Sequence, residues 1–154
     1  MKSASESLVT SRWTTDPPTR VIAIVMTLHY LPAAQARAVY RNALDALAPG
    51  GLLVVADLMP DDGITSLMNA LDPADEEAAA ELAWAQWWSE LGEIDVLQPH
   101  FARRAAIFRD RAPADFIAPA AWHLSAAHEA DFAEAGVIWR CGRHAALAAV
   151  RRAT

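Results

Sequence analysis

The stretch from Val21 to Asp57 limits the possible folds of this chain more than any other. Val21-Ile22-Ala23-Ile24-Val25-Met26 is a continuous apolar run rich in β-branched residues. Such a run is the pattern of a strand covered on both faces, as in a parallel sheet. Polar groups return at Thr27-Leu28-His29-Tyr30. Pro32 suits a first helical turn, and Val39, Tyr40, Ala43, Leu44 and Leu47 form a buried stripe at helical spacing in the stretch to Ala48. Pro49-Gly50-Gly51 then ends the helix and turns the chain. Leu52-Leu53-Val54-Val55-Ala56 is a second apolar strand, closed by Asp57. Strand, helix, turn and strand at this spacing predict a right-handed βαβ crossover and hence an α/β fold with parallel core strands.

The flanking sequence is less constraining. Residues 1–20 are polar and end in Asp16-Pro17-Pro18, which excludes a helix there and predicts an extended lead-in to a single domain over 21–154. Within the lead-in, Leu8 to Trp13 alternates weakly, as a short strand would. Asp72-Pro73 opens a long helix reaching Leu91, with Asp75, Glu76 and Glu77 matched to the dipole of its first turn and Gly92 as its stop. Trp84, Trp87, Trp88 and Leu91 share one face, and an aromatic stripe at helical spacing is expected to be core. A further helical stretch covers His100 to Arg109, and Pro113 and Pro119 then break the chain. Ser125 is suited to cap a helix reaching Ala135, with Gly136 as its stop. Val137-Ile138-Trp139-Arg140 and Ala145 to Val150, separated by Cys141-Gly142-Arg143, predict an antiparallel hairpin.

Composition removes several classes of function. With 154 residues, 54% of them hydrophobic, the chain suits one globular domain, which can bury roughly 68–70% of its unfolded surface. One cysteine, 6 glycines and 9 prolines exclude a disulfide scaffold, collagen and low complexity. The formal charge is −6 and Lys2 is the only lysine, so no basic stripe for nucleic acid is apparent. Arg103, Arg104, Arg109 and Arg111 cluster locally, but His100, Asp110 and Asp115 interrupt them, as on a solvated helix face. No apolar run approaches the ~18 residues of a membrane span. The unpaired Cys141 and an N-terminus without a signal-peptide pattern give the expectation of a cytoplasmic location.

VIAIVMTLHYLP, a helix, and LAPGGLLVVADLMP together resemble the central portion of class I S-adenosylmethionine-dependent methyltransferases. In that family the apolar strand with its Leu-His pair is the fourth strand, and the Pro-Gly-Gly turn leads into the fifth. HLSAAHEADFAEAG and VIWRCGRHAALAAVRR are similar to the family's last helix and closing hairpin. The resemblance covers most of residues 21–152. It implies a three-layer, Rossmann-like fold, S-adenosyl-L-methionine as cofactor and a small-molecule methyl acceptor. It places Met26, Thr27, Leu28 and His29 beside the methionine and sulfonium part of the cofactor, chiefly through backbone. The sequence also departs from the family. Close backbone approach to the cofactor requires residues without a Cβ, yet no glycine precedes Gly50. Residues 1–20 are too few for the two strands and a helix that carry the family's glycine loop and ribose-holding acid. The expectation is therefore an incomplete fold, the C-terminal part only, with poor cofactor affinity. Its strand Val21–Met26 would lack its usual neighbour, and an unpaired apolar edge invites pairing. A second copy, a partner chain carrying the missing half, or Leu8–Trp13 is expected to cover it.

Candidate chemistry rests on few residues. His29 is a candidate general base, its plainer role being a loop hydrogen bond and packing. Asp57 is a candidate acceptor-site group or base, its plainer role being to cap the following turn with Asp61 and Asp62. Trp84, Trp87 and Trp88 also suit an aromatic wall over an acceptor. His123, His128, Glu129 and Asp131 have the wrong spacing for a zinc helix, so no metal is expected. Cys141 lies in a hairpin turn without a catalytic pattern and reads as a spectator. The function implied is methyl transfer to a small molecule. The alternative is a non-catalytic, methyltransferase-like partner subunit that associates through its open edge. An unrelated nucleotide-binding domain is disfavoured by the lack of a Gly-x-Gly-x-x-Gly.

Overall fold

A computed structural model describes residue 13 and residues 17–71, 74–109 and 116–153. Among these residues four strands form one sheet in the order β1-β2-β4-β3, with β1 Thr19–Val25, β2 Leu47–Leu58, β3 Glu134–Cys141 and β4 His144–Val150. β1 and β2 are parallel, Ala23 opposite Val54 and Ile24 opposite Val55, and helix α1 (Ala33–Ala46) connects them. β4 pairs antiparallel with both β2 and β3, and the β3–β4 hairpin turns at Gly142-Arg143. The parallel crossover and the closing hairpin are thus where the apolar runs place them.

Several boundaries differ from the expectation. Pro32 is the residue before α1, and its carbonyl accepts the Gln35 and Ala36 amides. β2 starts at Leu47, so Pro49-Gly50-Gly51 lies inside the strand. Thr19 pairs with Leu47 and Val21 already with Leu52, so this turn is a bulge in the ladder. Both glycines are required there. Gly50 has φ +70°, and a Cβ on Gly51 would stand 2.7 Å from the Ala48 carbonyl oxygen. Helix α5 spans Ala120–Glu129. It starts at Pro119, so Ser125 is interior and caps nothing, and Gly136 belongs to β3. Of the short strand expected over Leu8–Trp13, residues 8–12 lie outside the described residues. Trp13 is in no strand and packs against the core.

The core lies on one face of the sheet. Alternation along β2 sends Leu53, Val55, Asp57 and Met59 inward, against Val39, Tyr40 and Ala43 of α1 and Ala126 and Ala127 of α5. Each such aliphatic side chain contributes about 1.5–3 kcal/mol through its removal from water. The other face carries Leu52, Val54 and Ala56 half-buried and, on β1, Val21 and Val25 at 57% and 60% exposure. Among the described residues the expected three layers are therefore two, a sheet and one layer of helices. Among the described residues β1 is an edge strand, paired only with β2.

Between β2 and α5 the chain makes α2 (Thr65–Leu71), α3 (Ala74–Gly92) and α4 (Gln98–Phe108). The aromatic stripe is not core. Trp84 and Trp87 are 56% and 45% exposed, and α3 meets α4 only through contacts such as Trp88 on Phe101, ring centroids 5.7 Å apart. Helical spacing reveals an apolar face but not what it faces, and here the described chain leaves Trp84 and Trp87 about half exposed. No described helix is long and apolar enough to cross a membrane.

Candidate active site

The parallel register sets the site. Val25 is opposite Ala56, so the residues that follow each strand emerge side by side. Met26 has φ +47°, a left-handed conformation that costs a non-glycine residue roughly 1–3 kcal/mol. Its amide still donates to the Ala56 carbonyl at 2.8 Å. The turn at Met26 directs the next two amides inward. Thr27 and Leu28 donate to Asp57 Oδ2 at 3.1 and 2.8 Å. The amide of Leu58 donates to Oδ1 at 2.8 Å, and His29 Nδ1 lies 2.5 Å from the same oxygen.

Asp57 is 2% exposed, and a buried carboxylate is tolerated only when its oxygens are satisfied. Three amides and one imidazole do so. Asp57 thereby caps the short 3-10 turn Leu28–Tyr30 from the neighbouring strand. It does not cap the turn that follows it. Asp61 does that, accepting the Gly63 amide at 3.1 Å, while Asp62 is exposed in that turn. Because Asp57 acts as an acceptor throughout, His29 Nδ1 carries the hydrogen it shares with Oδ1. Neutral His29 then has its lone pair on Nε2. The His29 side chain is 12% exposed and leans on the Tyr30 ring, centroids 4.0 Å apart.

Residues 60–116 are anchored at both ends beside this pair. The excursion leaves the end of β2, where Pro60 accepts the Ala120 amide, and returns where the Phe116 amide donates to the His29 carbonyl at 3.1 Å. Beside it, an open groove of about 280 Å³ lies between Pro60–Asp62, the first turn of α5 and Arg140. Arg140 donates to the Met59 carbonyl at 2.8 Å.

A second buried pair escaped the sequence reading. The Tyr40 hydroxyl and His123 Nδ1 share a 2.9 Å hydrogen bond between α1 and α5, and both residues are buried. Burial raises the Tyr40 hydroxyl above its ordinary range, helped by the negative charge of Asp57. Burial lowers His123 to about 4, the Asp57 charge opposing. The only signal in the sequence was a tyrosine within an apolar stripe, whose polar tip needs a partner.

The other candidates are dispersed. His128 is exposed, Glu129 pairs with Arg37 at 2.9 Å, and Asp131 is exposed beyond the helix. Among the described residues no group of three His, Cys, Asp or Glu is placed to hold a metal. Cys141 is exposed at the end of β3.

No protein-family model matches the sequence, and no curated protein sequence matches it significantly. Solved structures do share the fold. One is the S-adenosylmethionine-dependent methyltransferase SibL in its apo form, at TM-score 0.56 and 17% identity over 94% of this chain and 34% of that one. PigF with SAH aligns at TM-score 0.53 and 13% identity, over 87% of this chain and 31% of the other. An O-methyltransferase family 2 protein from Planctomyces limnophilus, in complex with apigenin, aligns at TM-score 0.52 and 12% identity, over 94% and 32%. The chain thus spans about a third of the length of each.

Proposed function

We propose that this chain supplies the acceptor-side half of an S-adenosylmethionine-dependent methyl-transfer site for small molecules bearing a hydroxyl group. The observation that carries the reading is the His29–Asp57 pair at the C-terminal ends of two parallel strands, the end at which open α/β sheets bind ligands. The names of the structural neighbours, S-adenosylmethionine-dependent methyltransferases and an O-methyltransferase bound to apigenin, supply the reaction class and the kind of acceptor.

Only part of the cofactor fits the residues present. Met26 and Thr27 form an exposed ledge where the resemblance places its methionine end, their amides being already taken by Ala56 and Asp57. The described residues before Gly50 offer no Cβ-free loop for close approach, and the ledge is open along the β1 edge instead of enclosed as ligand sites are. When bound, the cofactor supplies the methyl group. The chain's own part is to hold and deprotonate the acceptor. Asp57 fixes the His29 ring through Nδ1, and Nε2 takes the hydroxyl proton, a contribution of typically 10²–10⁴-fold in rate. Held acceptor geometry adds the larger share, roughly 7–11 kcal/mol when complete.

The exposed β1 edge favours a second element of the same reading, in which a partner chain carrying the missing strands, or another copy, completes the sheet. Calorimetric titration with S-adenosylhomocysteine tests the incomplete cradle. The isolated chain should bind more weakly than about 0.1 mM, and micromolar affinity would show the cradle to be complete without a partner.

A further inference from the structure

The helical excursion α2–α4 stands apart from the sheet, and its aromatic stripe has no use in the site described above. Trp84 and Trp87 stack at 5.0 Å with 25° between their planes, and Trp88 meets both rings edge-on. Trp88 is pinned by Phe101 and by the Arg104 guanidinium, 4.8 Å from its ring centre, so the stripe is ordered at one end. Trp84 and Trp87 nevertheless remain about half exposed. A patch of ordered, exposed tryptophan is a marker of association.

The charges on the two helices indicate what covers it. The α3 sequence holds five acidic residues and no basic one. The α4 sequence holds Arg103, Arg104 and His100 and no acid. A two-fold association of identical chains brings each surface against its counterpart. If α3 of one copy lies against α4 of the other, acid meets base at both contacts and the tryptophans meet at the centre. Pairing α3 with α3 would set acid against acid. We infer that the α3–α4 hairpin is a homodimerisation surface, in which the acidic α3 of each copy packs on the basic α4 of the other around Trp84 and Trp87. This inference is independent of the methyl-transfer reading and of the β1 edge.

The test is sedimentation of the full chain carrying Val21→Lys and Val25→Lys, which removes association through the sheet edge. In that background a dimer is expected, weakening at least tenfold between about 0.1 and 1 M salt as the charges are screened. Two further variants decide the geometry. Glu81→Arg with Glu90→Arg reverses the two charges that flank the tryptophans of α3 in the sequence, and His100→Glu with Arg103→Glu makes α4 acidic while leaving Arg104 on Trp88. Each alone should be monomeric with unchanged helix content, and an equimolar mixture should form the heterodimer, because mixing restores opposite charge at both contacts. A monomeric parent, or a mixture that stays monomeric, overturns the inference. So does a dimer that survives Trp84→Ser with Trp87→Ser.

Discussion

Tyr40 and His123 are 83 residues apart in the chain, yet the hydroxyl of one and Nδ1 of the other are 2.9 Å apart in the core. The bond ties the crossover helix α1 to the last helix α5, and the His123 tautomer decides which of the two atoms donates.

Its consequence is a defined acid lability. His123 titrates near 4 when folded and near 6.5 when unfolded. Between those values the unfolded chain binds more protons, so stability rises with pH through the window. The contribution is fully present above 6.5 and is lost as pH falls toward 4, reaching about 3 kcal/mol. Urea denaturation at a series of pH values should show this slope in the natural chain and lose up to one proton of it in His123→Gln.

Removing the acceptor at the strand ends is expected to be more damaging than removing the imidazole. Asp57→Ala strips partners from the Thr27, Leu28 and Leu58 amides and from His29 at once. Each donor left unsatisfied in a buried place costs about 1–3 kcal/mol. Asp57→Ala should therefore lose more than about 3 kcal/mol in chemical denaturation. His29→Gln should lose less than about 1.5 kcal/mol, because Asp57 keeps its three amides.

At the bulge in β2 the two glycines should respond differently. Gly50→Ala meets only the Ala153 methyl at 4.0 Å, an ordinary contact, but carries the left-handed φ, a cost of roughly 1–2 kcal/mol. Gly51→Ala places its methyl 2.7 Å from a backbone oxygen, which must move with the strand. It should cost more than Gly50→Ala, about 2–3 kcal/mol, and thermal melts of the two variants decide the order.

Periodicity and punctuation made the crossover and the hairpin legible, because both are local patterns. Pro32 and Gly142 fell at real boundaries, whereas Pro49-Gly50-Gly51 marks a bulge inside β2. Ser125 and Gly136 misled for the opposite reason: Pro119 starts α5 earlier than a capping serine would, and Gly136 fits a strand with nothing near its missing side chain. His29 and Asp57 were each readable as residues at strand ends. Their mutual contact was not, since it follows from the β1–β2 register and from the backward turn at Met26. The exposure of Trp84 was equally hidden, because it depends on what the rest of the chain leaves uncovered.

Met26–His29, held by Asp57, is the segment we propose as one wall of a methyl-transfer site. Amide chemical-shift mapping on an isotope-labelled chain, titrated with S-adenosylhomocysteine to several millimolar, addresses it most directly. The expected result is weak, saturable binding, with a Kd above about 0.1 mM, whose largest shifts fall on Met26, Thr27, Leu28 and His29 and vanish in Asp57→Ala. Shifts centred elsewhere on the sheet, or none at the highest concentration, would contradict it.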